Sequence, residues 1–146
     1  CMTNYGLGNL VFFDDRLDSS RYITILDTNL KSAYKYFPKQ FINKAIFQQA
    51  NARQHVSKKT RNYLNKHHIT TLQWPANSPD LNLIENLWSI MDKQLMKYPV
   101  KTIDDLKTAL ASIWKSISIN VIQNLYKSMR NRLQQVIKRK GLPCHS

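Results

Sequence analysis

At 146 residues and 42% hydrophobic content, the chain can bury one real core but not two, which excludes a second full-size domain. Twenty-two Lys and Arg against nine Asp and Glu leave a net charge of +13, which favours a polyanion partner, nucleic acid before acidic membrane, over a merely solvated basic surface. The two cysteines, Cys1 and Cys144, lie at opposite ends, which rules out a disulfide framework and fits a reducing compartment.

No run approaches the roughly 20 apolar residues of a membrane span, and no secretory leader is visible. The opening Cys1-Met2-Thr3-Asn4 reads as the cut end of something longer. Cys1 to Tyr5 and Asn9 to Phe13 read as a hairpin, with Gly6 and Gly8 supplying positive φ at the turn. Asp14 and Asp15 adjoin, but neighbouring side chains on a strand face opposite ways, so a solvated turn is preferred to a metal pair. Ser19 or Ser20 is expected to cap a helix to about Tyr36, with Tyr22, Ile25, Leu26, Leu30 and Ala33 as its apolar stripe. Pro38 stops it. Lys44 to Gln49 reads as a strand ending in Ala50-Asn51-Ala52, followed by a helix from about Val56 to His67. Ile69 to Trp74 reads as the next strand, and Pro75 and Pro79 punctuate the turn after it.

The central helix opens at Asn82, where Asn82-Leu83-Ile84-Glu85 has the spacing of a capping box. Its expected buried stripe is Ile84, Leu87, Trp88, Met91 and Leu95. Glu85 is the only glutamate in the chain. Thr102 to Asp105 caps a further helix in the same way, with Ile103, Leu106, Leu110, Ile113, Trp114 and Ile117 inward. The last helix starts near Ser118 to Asn120 and buries Ile122, Leu125, Tyr126, Met129, Leu133, Val136 and Ile137. Lys138-Arg139-Lys140 lies in its last turn, where cations suit the helix dipole, and Gly141 can close it. Strands alternating with helices argue for an α/β layer with partly parallel strands, covered by three C-terminal helices. Residues 1–146 are read as one domain, with 1–96 as the core portion and 97–146 as the helical tail.

Two stretches stand out. Phe47-Gln48-Gln49-Ala50-Asn51-Ala52-Arg53-Gln54-His55 resembles the second carboxylate motif of the mariner superfamily of cut-and-paste transposases, which includes the Tc-type elements. Trp74-Pro75-Ala76-Asn77-Ser78-Pro79-Asp80-Leu81-Asn82-Leu83-Ile84-Glu85-Asn86-Leu87-Trp88 resembles the third. The hairpin, first helix and helical tail match in kind, so the resemblance covers nearly the whole chain. It implies a ribonuclease H-like mixed sheet with flanking helices, and two Mg²⁺ or Mn²⁺ ions held by two aspartates and one glutamate. In such a site one ion activates water or a 3′-hydroxyl and the other stabilises the leaving oxygen. Hard oxygen ligands suit these ions.

The resemblance puts the second aspartate position on Ala50 and the glutamate on Glu85, with residues 51–84 between them. Ala50 has no oxygen for a metal. The first aspartate is expected upstream of the hairpin, on a strand that this chain does not carry. Asp92 lies two helical turns past Glu85 and cannot replace a ligand on a strand. Loss of ligands removes several kcal/mol of transition-state stabilisation, which means many orders of magnitude in rate. The expectation is a chain that binds no Mg²⁺ and neither cuts nor joins DNA, with Glu85 vestigial or purely a helix-start residue. The family usually has Pro at positions 53 and 83, here Arg53 and Leu83.

His55 reads as an anchor for the loop after position 50, with a ligand role as the alternative. His67-His68 and Cys144-His145 make no zinc site. Trp74, Trp88 and Trp114 read as core. Two basic faces are candidates for phosphate contact: Lys58, Lys59, Arg61 and Lys66, and Lys127, Arg130, Arg132, Lys138, Arg139 and Lys140. Non-specific DNA binding, self-association through open sheet edges, a nuclear location and no membrane partner complete the expectations. The readings left open are a decayed remnant, a retained DNA- or protein-binding module, and an active nuclease in a longer chain into which Ala50 was introduced.

Overall fold

The computed structural model describes residues 1–142 apart from Asp15, Tyr36, Asn77 and the Lys31 side chain. Its chain divides into two compact units, one of Cys1 and Leu7–Asn77 and one of Met2–Gly6 and Ser78–Ser146. A short hairpin, β1 (Met2–Thr3) and β2 (Gly6–Leu7), opens the chain. It turns at Asn4 and Tyr5, where the buried Thr3 hydroxyl donates to the Gly6 carbonyl at 3.0 Å and accepts from the Tyr5 N–H at 3.1 Å. The expected turn at Gly6 to Gly8 and strand at Asn9 to Phe13 are therefore not formed. Gly8 packs closely instead, since a Cβ there would lie 3.1 Å from Ser32 Oγ.

In the first unit, α1 (Ser19–Tyr34) is capped by Asp18 rather than by either serine, its Oδ1 accepting from the Arg21 N–H at 2.8 Å. Tyr22, Leu26, Leu30 and Ala33 are buried at helical spacing, as the pattern requires. A 3₁₀ segment, Lys39–Lys44, buries nothing. The helix expected from about Val56 to His67 is α3 (Lys58–Lys66), and a further short helix not expected from the sequence, α2 (Arg53–Val56), precedes it. Ser57 breaks them apart by leaving helical geometry to cap α3 through its hydroxyl. Leu64 of α3 meets Tyr22 and Leu26 of α1, with Leu17, Phe47, Tyr63 and Ile69 packed around them.

The expected strands at 44–49 and 69–74 reduce to one parallel bridge between Phe47 and Thr71. Phe47 donates to the Thr70 carbonyl at 2.8 Å and accepts from the Leu72 N–H at 2.9 Å. Among the described residues no third strand adds ladder bonds to either segment, and a lone parallel pair is marginal. The mixed sheet inferred from the sequence is thus mostly absent, and the structure is largely helical.

The second unit holds a 3₁₀ turn (Pro79–Leu81) and three helices, α4 (Leu83–Leu95), α5 (Ile103–Ser116) and α6 (Ile119–Lys138). On α4 the buried stripe is Leu83, Leu87 and Met91, an i, i+4, i+8 row that starts one residue earlier than expected. Leu83, standing where the related motif has proline, is therefore a core residue. Trp88 is 37% exposed, with its ring stacked 5.7 Å from the buried Trp114 of α5. The capping box on α5 is complete, Thr102 and Asp105 each bonding the other's backbone N–H. Besides Trp88, three residues expected inside are exposed: Ile103, Leu133 and Ile137. Ile103 sits at the first position of α5, and Leu133 and Ile137 lie in the C-terminal half of α6.

Candidate active site

The loop after the Phe47 bridge is held without any help from the side chain at position 50. His55 Nδ1 lies 2.9 Å from the Ala50 carbonyl, a contact that requires the proton on Nδ1. The imidazole packs against the Tyr22 ring, tilted by 31°, with ring centroids 4.3 Å apart. The Tyr22 hydroxyl donates to Gln49 Oε1 at 2.7 Å, and Gln49 Nε2 donates back to the His55 carbonyl at 3.2 Å. Burial pushes the Tyr22 phenol well above its ordinary range. On the other side, Asn51 Nδ2 donates to the Trp74 carbonyl at 2.9 Å, which ties the loop to the end of the neighbouring extended segment. Thr60 of α3 is wholly buried and donates to the Gln54 carbonyl at 2.6 Å.

Position 50 itself is exposed and presents only a methyl group. His55 is the loop anchor expected from its place in the sequence. Tyr22 and Gln49 were not legible as its partners. Tyr22 reads as one apolar-stripe residue among several, and nothing in spacing joins it to a glutamine 27 residues on.

Glu85 lies in the first turn of α4 and is exposed. The capping box inferred there is not formed, since Asn82 makes no side-chain bond to the helix backbone. Asn82 Nδ2 instead donates to Glu85 Oε1 at 3.3 Å, side chain to side chain. Asn82 is buried. The Asn86 Oδ1 atom beside Glu85 in sequence is buried with no hydrogen-bond partner in the described structure.

The Pro79–Leu81 turn that delivers this helix is clamped from α6. Arg132 Nη1 donates to the Asp80 carbonyl at 2.8 Å while its Nε donates to Ser128 Oγ at 3.0 Å. Arg132, assigned from the sequence to a phosphate-binding face, is thus occupied inside its own unit. Tyr126 of the same helix donates to the Met2 carbonyl at 3.3 Å.

The donor set does not fit a pair of divalent ions. Ala50 offers no oxygen, and the Nδ1 proton of His55 is directed at a carbonyl. Among the described residues no three His, Cys, Asp or Glu side chains gather where they could hold a metal. Cys144 and His145 lie outside the described residues.

The remaining cations of the two candidate phosphate-contact faces lie on α3 and on or just after α6. On α3, Lys58, Arg61 and Lys66 are exposed, while Lys59 Nζ is engaged with Ser20 Oγ at 2.7 Å. On and after α6, Lys127, Arg130, Lys138 and Lys140 are exposed and Arg139 is half-buried. Among the described residues no helix is long and apolar enough to cross a membrane.

Residues 1–107 match the family model described as DDE superfamily endonuclease. The transposable element Tc3 transposase of Caenorhabditis elegans is 38% identical over 138 residues, which is 92% of this chain and 40% of that protein. The chain therefore spans less than half the length of this relative. Among solved structures, the catalytic domain of Mos1 mariner transposase superposes with a TM-score of 0.78 at 18% identity, covering 90% of this chain and 66% of that one. The mariner Mos1 paired end complex with Mg superposes with a TM-score of 0.86 at 17% identity, covering 97% and 42%. These likenesses establish the α/β fold class of the Mos1 catalytic domain despite the shortened sheet.

Proposed function

This chain belongs to the DDE superfamily endonuclease family, and on that premise we propose that it is a DNA-binding transposase domain of the Tc and mariner type whose nucleotidyl-transfer chemistry is disabled at position 50. The observation that carries the proposal is the methyl group of Ala50, set at the end of the bridged segment where the related motif has its second aspartate. The clasp of Tyr22, Gln49, His55 and Asn51 around it supports this reading. These bonds hold the loop and position 50 is exposed, so the deficit lies in the missing carboxylate and not in a collapsed loop. A longer polypeptide containing this sequence would carry the same deficit.

The excess of 22 cations over nine acids supports DNA as the partner, as does the neighbour solved as a paired end complex. Binding rests on phosphate attraction, at roughly 10⁻⁴ to 10⁻⁶ M at physiological salt, and weakens steeply as salt rises. The nucleus is the location proposed with that partner.

The test is cleavage of a duplex carrying a transposon end, with Mg²⁺ or Mn²⁺ supplied. The chain is expected to shift the duplex in a salt-dependent way and leave it uncut. Turnover that disappears on Glu85→Ala would overturn the proposal.

A further inference from the structure

The exposed face of α3 (Lys58–Lys66) has a composition that solvation alone does not call for. At about 100° per residue, Lys58, Asn62 and Asn65 form one row along the helix. Arg61 flanks the row on one side and Lys66 on the other. All five are exposed, and opposite them are the buried Thr60 and Leu64. The face contains no acid and no apolar side chain. Among the described residues none of the five side chains is hydrogen-bonded to the protein, whereas Lys59, Thr60 and Tyr63 all are. The acid beside the helix, Asp27, accepts from the Tyr63 hydroxyl at 3.0 Å.

The helix behind this face is fixed at both ends. Ser57 caps its start. At its end His68 N–H bonds the Asn65 carbonyl at 3.0 Å and Ile69 N–H bonds the Leu64 carbonyl at 2.9 Å, which closes a Schellman motif.

We infer that α3 is a DNA-reading helix that enters the major groove with Asn62 and Asn65 directed at base edges and Lys58, Arg61 and Lys66 at the flanking phosphates. A helix of nine residues is about 13 Å long and roughly 10–12 Å across, the dimensions of a groove about 12 Å wide. Residues three apart rise about 4.5 Å, close to the base-pair step of about 3.4 Å, so the two amides reach neighbouring pairs. An asparagine amide matches the adenine N6 and N7 edge with one donor and one acceptor, and guanidinium and ammonium groups match phosphate. This inference rests on the DNA-binding reading above and adds base preference to backbone attraction.

Selection from a 20-base-pair random duplex pool, followed by a salt titration on the selected duplex, tests it. The wild-type chain is expected to select adenine-containing steps with roughly 5- to 150-fold preference per contacted pair. Asn62→Ala with Asn65→Ala is expected to erase that preference and keep the salt slope. Lys58→Gln, Arg61→Gln and Lys66→Gln together are expected to keep the preference and lower the log–log salt slope by about 2 to 3. All five positions are exposed, so thermal melting by circular dichroism should be unchanged and serves as the folding control. Binding without any selected base, or an unchanged preference in the asparagine variant, overturns the inference while leaving general DNA binding intact. No duplex binding at low salt overturns both.

Discussion

His68 and Lys140 occupy the left-handed backbone region without being glycine, at φ 53 and φ 54. Both are the turn residue of a helix C-terminus. Lys140 N–H bonds the Ile137 carbonyl and Gly141 N–H the Val136 carbonyl, so the lysine, not the glycine expected from the sequence, makes the reversal of α6. His68→Gly should raise stability by about 1 kcal/mol, because the left-handed penalty of a Cβ outweighs the added freedom of the unfolded chain. A urea midpoint that falls instead would show that the His68 ring makes contacts worth more than the strain.

Tyr22 offers a second residue-scale test. Burial raises its phenol pKa, so the neutral form is favoured in the folded state. Its contribution is fully present below the unfolded value of about 10 and is lost as pH rises beyond that value. Tyr22→Phe should lessen the alkaline fall in urea stability and should speed amide exchange at residues 49–51, since Gln49 loses its donor. Identical exchange in the two proteins would remove Tyr22 from the clasp.

Among the elements, caps decide what the sequence makes visible. Thr102 and Asp105 announce α5, and the structure forms both bonds of the box. The Thr102 side chain, then the N–H groups of Lys101 and Thr102, hold the Asp105 carboxylate below its ordinary value of 3.8. Its stabilisation is present above that value and is lost as pH falls through the folded one. Asp105→Asn should therefore blunt the loss of melting temperature on acidification, and an unchanged acid limb would exclude the cap as its source.

Ser57 shows the opposite case. It stands at the start of the helix expected from about Val56, and its hydroxyl accepts from the Thr60 N–H as the cap of α3, while the short α2 before it had no signal in the sequence. The apolar segments around Phe47 and Thr71 carry strand propensity, but pairing depends on neighbours that propensity cannot supply. Arg132 is illegible for a similar reason, since its acceptor lies 52 residues away. Arg132→Gln should cost about 1 to 3 kcal/mol, as expected for a lost hydrogen bond from a charged group. Faster amide exchange over residues 79–85 should accompany it, and a loss confined to DNA affinity would return Arg132 to the phosphate-binding face.

For the whole molecule, the long Trp74 to Trp88 run and the position of Ala50 carried the family and the proposed deficit, while the side-chain bonds that hold the loop required coordinates. Phe12, Phe13 and Ile46 are substantially exposed, and we propose, as the sequence reading expects, that the chain self-associates through unpaired strand edges. Light scattering should show mass rising with concentration, and a monomer at every concentration would count against it.

The most direct test of the proposed deficit is Mn²⁺ binding followed by water proton relaxation on the purified chain. The expected result is no saturable site beyond weak surface carboxylate binding. Two Mn²⁺ ions bound per chain, both released by Glu85→Ala, would contradict it.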